Sequence, residues 1–205
     1  MKHSRRVSSV LVLAGVCAAC SGDSGAARSD ETGRPATELI PTVVLETNMG
    51  RIVIRLDREK APVSVANFVS HVKSGFYNDL IFHRVIPGFV IQAGRYKADF
   101  VKRSSSGKPI QNESYNGLLN RRGTVAMART NDPQSALDEF YINVADNPNL
   151  DPTDDSFGYA VFGEVTEGMD VVDAISKVPT TRHNRDANVP RDPVIIQRAV
   201  VQPPK

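Results

Sequence analysis

Apolar positions change their spacing several times along this chain. Val43-Val44-Leu45-Glu46-Thr47 and Arg51-Ile52-Val53-Ile54-Arg55-Leu56 are two β-branched runs around Asn48-Met49-Gly50. Two such runs about a turn with Asn and Gly predict a hairpin. Ile52, Ile54 and Leu56 alternate with Arg51, Val53 and Arg55, as in a half-buried strand. The spacing then becomes helical. Val65, Phe68, Val69 and Val72 share one face, Pro62 suits a first turn and Gly75 a C-terminal cap. Further strands are predicted over 80–86, 89–93, 124–128, 140–144, 160–165 and 194–201, and a second helix over 169–177 with Val172 and Ile175 inward. Many strands with two helices predict a closed β-barrel whose ends are covered by helices. Periodicity alone does not separate that from a sandwich. The polar stretches 96–122 and 145–157 read as long loops, which in compact domains often carry function.

Before Thr42 the texture differs. Lys2, Arg5 and Arg6 precede a short apolar run from Val10 to Ala19. That run is too short to span a bilayer and reads as a secretory signal over residues 1–19. Both cysteines, Cys17 and Cys20, lie at its end. Ala18-Ala19-Cys20 resembles a lipobox, in which the cysteine is lipidated and becomes the new N-terminus. Cys17 stands where leucine is usual in that motif. An ordinary cleaved signal is the other reading, and Ser4-Arg5-Arg6 carries part of a twin-arginine export motif. Residues 20–41 are Ser, Gly, Ala, Thr and charge, with no large apolar side chain before Leu39-Ile40. They cannot bury enough surface to fold and read as a flexible tether. The expected organisation is a signal peptide over 1–19, a lipidated Cys20 with its tether to 41, and a folded domain over 42–205. The expected location is the periplasm or cell envelope, with the membrane reached through Cys20.

Composition narrows the function. The chain has 205 residues, 40% of them hydrophobic, enough for one domain with a real core. The net charge of +2 gives no basic footprint for nucleic acid. Loss of residues 1–19 removes three of the 25 cations and none of the 23 carboxylates, so the mature chain carries a net charge near −1. Residues 42–205 hold no cysteine, so the domain needs no disulfide in any redox compartment.

Common reactive motifs are missing. There is no GxSxG elbow, no P-loop and no GxGxxG. His71, His83 and His183 lack metal-ligand spacing. His71 reads as a helix-surface residue and His83 as a structural one. Asp151, Asp154 and Asp155 lack an ordered calcium-loop pattern and read as a solvated loop. No metal and no cofactor is therefore expected. Rotation about an Xaa-Pro bond needs none of these, because it breaks no bond and moves no proton. It needs an apolar groove for proline and a fixed donor aimed at the prolyl amide. Arg84 is a candidate donor. It sits inside the apolar run Leu80-Ile81-Phe82-His83-Arg84-Val85-Ile86, where a charge is costly without a partner or a task. A structural ion pair with a nearby carboxylate is the alternative.

Phe82-His83-Arg84-Val85-Ile86-Pro87-Gly88-Phe89-Val90-Ile91-Gln92 resembles the signature of the cyclophilin-type peptidyl-prolyl isomerases. The resemblance runs from about Thr42 to Val201. It includes Arg122-Gly123-Thr124-Val125-Ala126-Met127-Ala128-Arg129, Phe140-Tyr141-Ile142-Asn143-Val144 and Phe157-Gly158-Tyr159-Ala160-Val161-Phe162-Gly163. The bacterial exported branch looks most similar. The resemblance implies a mainly β fold, a closed eight-stranded antiparallel barrel capped by two helices. It implies Arg84 as the catalytic arginine. Gln92 orients that arginine and bonds the substrate backbone, and Phe89, Val90, Tyr141 and Leu150 form the proline pocket. The strand at Ala128 and Arg129 holds an extended peptide, and Glu139 and Tyr159 line the groove. Proline-containing unfolded polypeptides are the implied partners, a monomer the implied state, and the folding of exported proteins the implied role.

Four positions depart from the family pattern. Val90 replaces a common methionine, Glu139 a glutamine, Asn149 an aromatic and Tyr159 a histidine of some members. The loss at Asn149 implies weakened binding of cyclosporin-like ligands. Glu139 and Asn149 also motivate a second reading, a proline-peptide-binding chaperone or scaffold without catalysis.

Overall fold

A computed structural model describes residues 41–202. The predicted signal peptide, Cys17, Cys20 and the tether up to Ile40 lie outside these residues. The expected hairpin is present as β1 (Thr42–Thr47) and β2 (Gly50–Leu56), with Val44 opposite Val53. Helix α1 (Pro62–Lys73) follows, then β3 (Leu80–Ile81), β4 (Arg84–Ile86), β5 (Val90–Ala93), β6 (Thr124–Met127) and β7 (Phe140–Asn143). A single 3-10 turn at Pro148–Leu150 leads to β8 (Val161–Glu167), α2 (Met169–Ser176), β9 (Thr180–His183), β10 (Asp186–Pro190) and β11 (Ile195–Gln202).

Nine strands form one curled antiparallel sheet in the order β3-β11-β1-β2-β8-β6-β7-β5-β4. The mainly β fold with two helices is as expected; the curled sheet has nine strands where a closed barrel of eight was expected. The predicted strand over 80–86 is split. Ile81 pairs with Ile195 of β11, whereas Arg84 pairs with Gln92 of β5. One short segment thus supplies both edges of the sheet. Phe82-His83 joins those edges through the chain itself, and the Phe82 N–H is taken by the Val194 carbonyl at 2.9 Å. The β9–β10 hairpin was not legible in the pattern. It is a separate two-stranded unit that buries little, so its residues carry no alternation. Asn184 and Asn188 take positive φ there, which Asn tolerates better than most residues.

The core lies between the curled sheet and α1. The Phe68 ring sits 5.0–5.2 Å from those of Tyr77, Phe140 and Phe162, and all four are fully buried. Gly75 and Phe76 close α1 by donating to the Val72 and His71 carbonyls, at 3.0 and 2.9 Å. Val172 and Ile175 of α2 are buried, as their spacing predicts. His71 is a correction. It is buried, with Nδ1 2.8 Å from the Asn67 carbonyl and Nε2 2.9 Å from Asp138 Oδ1. The carboxylate that makes this burial tolerable is 67 residues away in sequence, out of reach of a local pattern.

The strands facing α1 have a second apolar face. Val85, Ile91, Ala93, Val125, Met127, Phe140, Ile142 and Phe162 belong to the main core. Their neighbours Val90, Ala126, Tyr141 and Val161 form a smaller cluster on the other side. Strand alternation sends successive side chains to opposite faces. Phe68→Ala would empty the centre of the main core and should cost about 3–5 kcal/mol. Urea unfolding followed by far-UV circular dichroism checks this.

Candidate active site

The β4–β5 hairpin is built by its turn. Pro87 and Gly88 occupy the two central positions, the Phe89 N–H donates to the Ile86 carbonyl at 3.1 Å, and Gly88 has φ +67°. That is the chemistry of a type II turn, which requires a positive φ at its second central residue. The turn sets Arg84 directly opposite Gln92. Arg84 Nη1 donates to Gln92 Oε1 at 3.3 Å, and its Cζ lies 5.8 Å from the Phe89 ring centroid. Arg84 is half-buried beside fully buried Val85, so the charge stands on the outer face and the apolar neighbour in the core.

Gln92 is held at its other end. Its Nε2 donates to Glu139 Oε2 at 2.8 Å. His83 Nε2 lies 3.3 Å from the same oxygen, and Arg95 Nη1 3.5 Å from Oε1. His83 is buried, in agreement with a structural reading. Burial pushes the Glu139 carboxyl up, but His83, the Gln92 amide and the Arg95 guanidinium outweigh it and hold the group below its ordinary value. The backbone fixes where Glu139 sits. A side chain at Gly94 would meet the Asp138 carbonyl at 2.5 Å, so only glycine lets residues 138–139 pass so close to the end of β5.

Beside this polar line is the smaller apolar cluster. Val90 and Tyr141 are its buried floor, with Phe89, Leu150 and Tyr159 half-buried against them. Tyr159 meets Tyr141 edge-on at 5.8 Å. Burial holds the Tyr141 phenol well above its ordinary pKa, so it stays a neutral donor. Arg129 lies 4.4 Å over the Tyr159 ring and donates to the carbonyls of Phe157, Gly158 and Thr130. Its side chain thus organises the 157–159 loop. Ala128 packs against the cluster, and its N–H is committed to the Glu139 carbonyl at 2.9 Å. Asn149 is exposed on the 3-10 turn next to Leu150. The structure therefore brings Arg84, Phe89, Gln92 and Glu139 into one line, beside a pocket of Val90, Tyr141, Leu150 and Tyr159.

Three asparagines escaped the sequence reading. Asn120, Asn143 and Asn147 are 1%, 0% and 5% exposed, and such burial of amides demands partners. Asn120 Oδ1 accepts from Tyr141 Oη at 2.7 Å and from Asn143 Nδ2 at 3.2 Å. Its Nδ2 donates to the Leu150 carbonyl at 3.1 Å. Asn147 Nδ2 donates to Asn143 Oδ1 at 2.7 Å and to the Phe89 carbonyl at 3.0 Å. These bonds tie both long loops to the pocket floor. No spacing in the chain announces them, because an asparagine in a loop is usually read as a turn residue.

A separate cleft of about 950 Å³ is rimmed by Arg55, Asp57, Glu59 and Glu164 and shares only Leu118 and Val161 with the pocket cluster. Among the described residues no group of three or more His, Cys, Asp or Glu side chains is placed to hold a metal ion.

Residues 42–201 match the family described as cyclophilin type peptidyl-prolyl cis-trans isomerase/CLD. The chain belongs to that family. Among its relatives, peptidyl-prolyl cis-trans isomerase A of Dickeya dadantii is 52% identical over 159 residues, which is 78% of this chain and 83% of that protein. Peptidyl-prolyl cis-trans isomerase B of Escherichia coli is 48% identical over 162 residues, 78% of this chain and 98% of that one. A crystal structure of a Cryptosporidium parvum cyclophilin type isomerase superposes with a TM-score of 0.68 at 25% identity, covering 80% of this chain and 98% of the other. The same protein in the presence of the dipeptide Ala-Pro gives a TM-score of 0.66 at 26% identity, covering 79% and 99%. Like its family, this cyclophilin binds proline-containing peptides and isomerises the bond before proline.

The asparagine network yields a contrast within this cyclophilin. Asn120→Ala strands the Tyr141 hydroxyl, leaves Asn143 Nδ2 with Thr124 Oγ1 alone, and should cost about 1–3 kcal/mol, with weaker peptide binding. Asn149→Ala, at an exposed position, should stay within about 0.5 kcal/mol of the parent. Denaturant midpoints and peptide titration calorimetry measure both.

Proposed function

We propose that Arg84 is the catalytic donor of this isomerase and that it works on polypeptides outside the cytoplasm. The observation that carries the catalytic reading is the line Arg84–Gln92, set directly beside the apolar cluster of Val90 and Tyr141. The barrier to rotation comes from amide resonance and is about 18–20 kcal/mol. A prolyl ring seated on Val90, Tyr141, Phe89 and Leu150 leaves its imide nitrogen within the field of the Arg84 guanidinium. A hydrogen bond to that nitrogen draws its lone pair out of conjugation with the carbonyl. The bond then favours the twisted state over either planar one. It is strengthened where the apolar walls exclude water. Lowering the barrier by about 7 kcal/mol gives roughly 10⁵-fold acceleration. The guanidinium offers its donors in a rigid plane.

Gln92 serves this geometry by accepting from Arg84 through Oε1. Its Nε2 carries a second hydrogen beyond the one given to Glu139, and that hydrogen is the donor for a substrate carbonyl. The segment Ala128–Arg129 is the edge along which an extended peptide lies. Tyr159, braced by Arg129, forms the far wall of the groove.

The exported role rests on the residues before the domain. A positive n-region, a short apolar run and Ala18-Ala19-Cys20 support a signal peptide over 1–19 with lipid attached at Cys20. A tether of about 20 residues has a random-coil reach of roughly 25 Å. A monomeric domain on such a tether works close to its membrane, in the periplasm or envelope, on proteins that fold after export.

Arg84→Ala should lower kcat/KM on a Xaa-Pro peptide by at least about a hundredfold, which corresponds to roughly 2.7 kcal/mol of transition-state stabilisation, with the melting temperature nearly unchanged. A comparable loss of melting temperature would make Arg84 structural instead. Arg84→Lys should recover little, because an ammonium lacks the planar donor array. Mass spectrometry of the mature protein should show an N-terminus at Cys20 carrying lipid; an unmodified terminus excludes the anchor.

A further inference from the structure

We propose that Glu139 is a positioning residue of the isomerase: its carboxylate, seated between His83 and Arg95, locks the Gln92 amide in the one orientation that turns Oε1 toward Arg84. The inference rests on the isomerase reading and deepens it. An amide has two ends of nearly the same shape, one that only accepts and one that only donates. Which end faces which neighbour is set by those neighbours. Arg84 offers donors alone. An ionised carboxylate offers acceptors alone. With Arg84 on one side and Glu139 on the other, only one orientation of Gln92 satisfies both, with Arg84 Nη1 at 3.3 Å from Oε1 and Nε2 at 2.8 Å from Glu139. The reverse orientation sets donor against donor at Arg84 and acceptor against acceptor at Glu139. A neutral group at 139 that can also donate removes this discrimination.

The carboxylate is itself held by two further side chains. His83, from the link between β3 and β4, places Nε2 3.3 Å away. Its Nδ1 is buried with no hydrogen-bond partner among the described residues, so the ring's polar contact is Glu139. A lone pair left there costs less than an unpaired N–H, which favours the proton on Nε2, pointing at the carboxylate. The other face of the His83 ring meets Tyr96 at 5.5 Å. Arg95, following β5, approaches Oε1 at 3.5 Å. Asp138, the neighbour in sequence, is turned away toward His71 Nε2 at 2.9 Å and the Ser105 N–H at 3.2 Å. Its carbonyl accepts from Tyr77 Oη at 3.0 Å. The main chain at 138–139 is therefore anchored to α1 and to the loop after β5, and Glu139 has one place to go.

The charge has a consequence for pH. Protonated Glu139 can donate to Gln92 Oε1, draw it from Arg84 and free the amide to turn. The folded carboxyl sits below its ordinary value, so the positioned state persists through neutral pH and is lost only as pH falls through that lowered value.

The test uses the whole mature domain with its tether. Cis–trans exchange of an Ala-Pro peptide is followed by NMR from pH 7.5 downward, as far as far-UV circular dichroism shows the fold intact, for wild type, Glu139→Gln and Arg84→Ala. The side-chain amide protons of Gln92 are recorded in the same samples. Wild type should lose activity at the acid end of the range with the fold intact, and the Gln92 amide shifts should follow the same titration. Glu139→Gln should lower kcat/KM several-fold at pH 7, keep its melting temperature, and abolish both the acid limb and the pH-dependent amide shift. Full activity in Glu139→Gln, or an acid limb retained in it, overturns the proposal. So do Gln92 amide shifts that ignore pH in wild type, a readout that needs no variant to fold. Wild-type exchange no faster than that of Arg84→Ala would instead remove the catalytic reading of Arg84, with the amide shifts still deciding the role of Glu139.

Discussion

Strands β5 to β8 bury apolar side chains on both faces, and the site depends on that constraint. Alternation leaves no freedom once one face is assigned. With Val85, Ile91, Phe140 and Ile142 in the main core, Arg84, Gln92, Tyr141 and Asn143 must stand on the other side. A one-residue slip of register would drive the guanidinium into the main core and take Ile91 out of it, so the core's hydrophobic burial enforces the site's geometry. The same ladder that holds the fold sets Arg84 against Gln92 and Gln92 against Tyr141.

The second requirement is polar. A pocket on the outer face of a sheet needs walls, and here they are loops whose backbone groups must be satisfied. Asn120, Asn143 and Asn147 supply the partners, joining 118–124, the β7 end and the 3-10 turn under Phe89 and Tyr141. A fully satisfied buried network is rigid, and a partly satisfied one is costly. The pocket's shape therefore depends on amides that never touch substrate. Leu150 owes its position to the Asn120 bond to its carbonyl and to the Tyr159 N–H that shares it at 2.9 Å.

Charge forms the third layer. Among the described residues no carboxylate pairs with Arg84; its guanidinium meets the Gln92 amide oxygen and the Phe89 ring. The acid on the far side of Gln92, Glu139, is spent on His83, Gln92 and Arg95 instead. A direct ion pair would hold the guanidinium in the ground state. Interposing an amide keeps Arg84 oriented without neutralising it, which suits a donor that has to turn to a prolyl nitrogen. Glu139 departs from the family pattern as an added charge, but the fold turns that charge inward, toward the residue that aims the arginine.

Sequence alone carried much of this protein. The β1–β2 hairpin, both helices and most strands were written in spacing that reports burial directly: period two at Ile52, Ile54 and Leu56, helical period at Val65, Phe68 and Val72. Pro87-Gly88 specified its turn, because few residues fit those dihedral angles. The run Phe82–Gln92 pointed to the family, and Arg84 stood out as a charge within an apolar strand. Tertiary structure decided what local pattern cannot hold. It split the strand at Phe82-His83, because one segment had to serve both edges of the curled sheet. It buried His71 against a carboxylate from a distant loop, formed a β9–β10 hairpin with no apolar face to announce it, and gathered three scattered asparagines beneath the pocket. The division has one physical cause. Hydrophobic burial leaves a local periodic trace, whereas a polar contact depends on two residues that only the folded chain brings together.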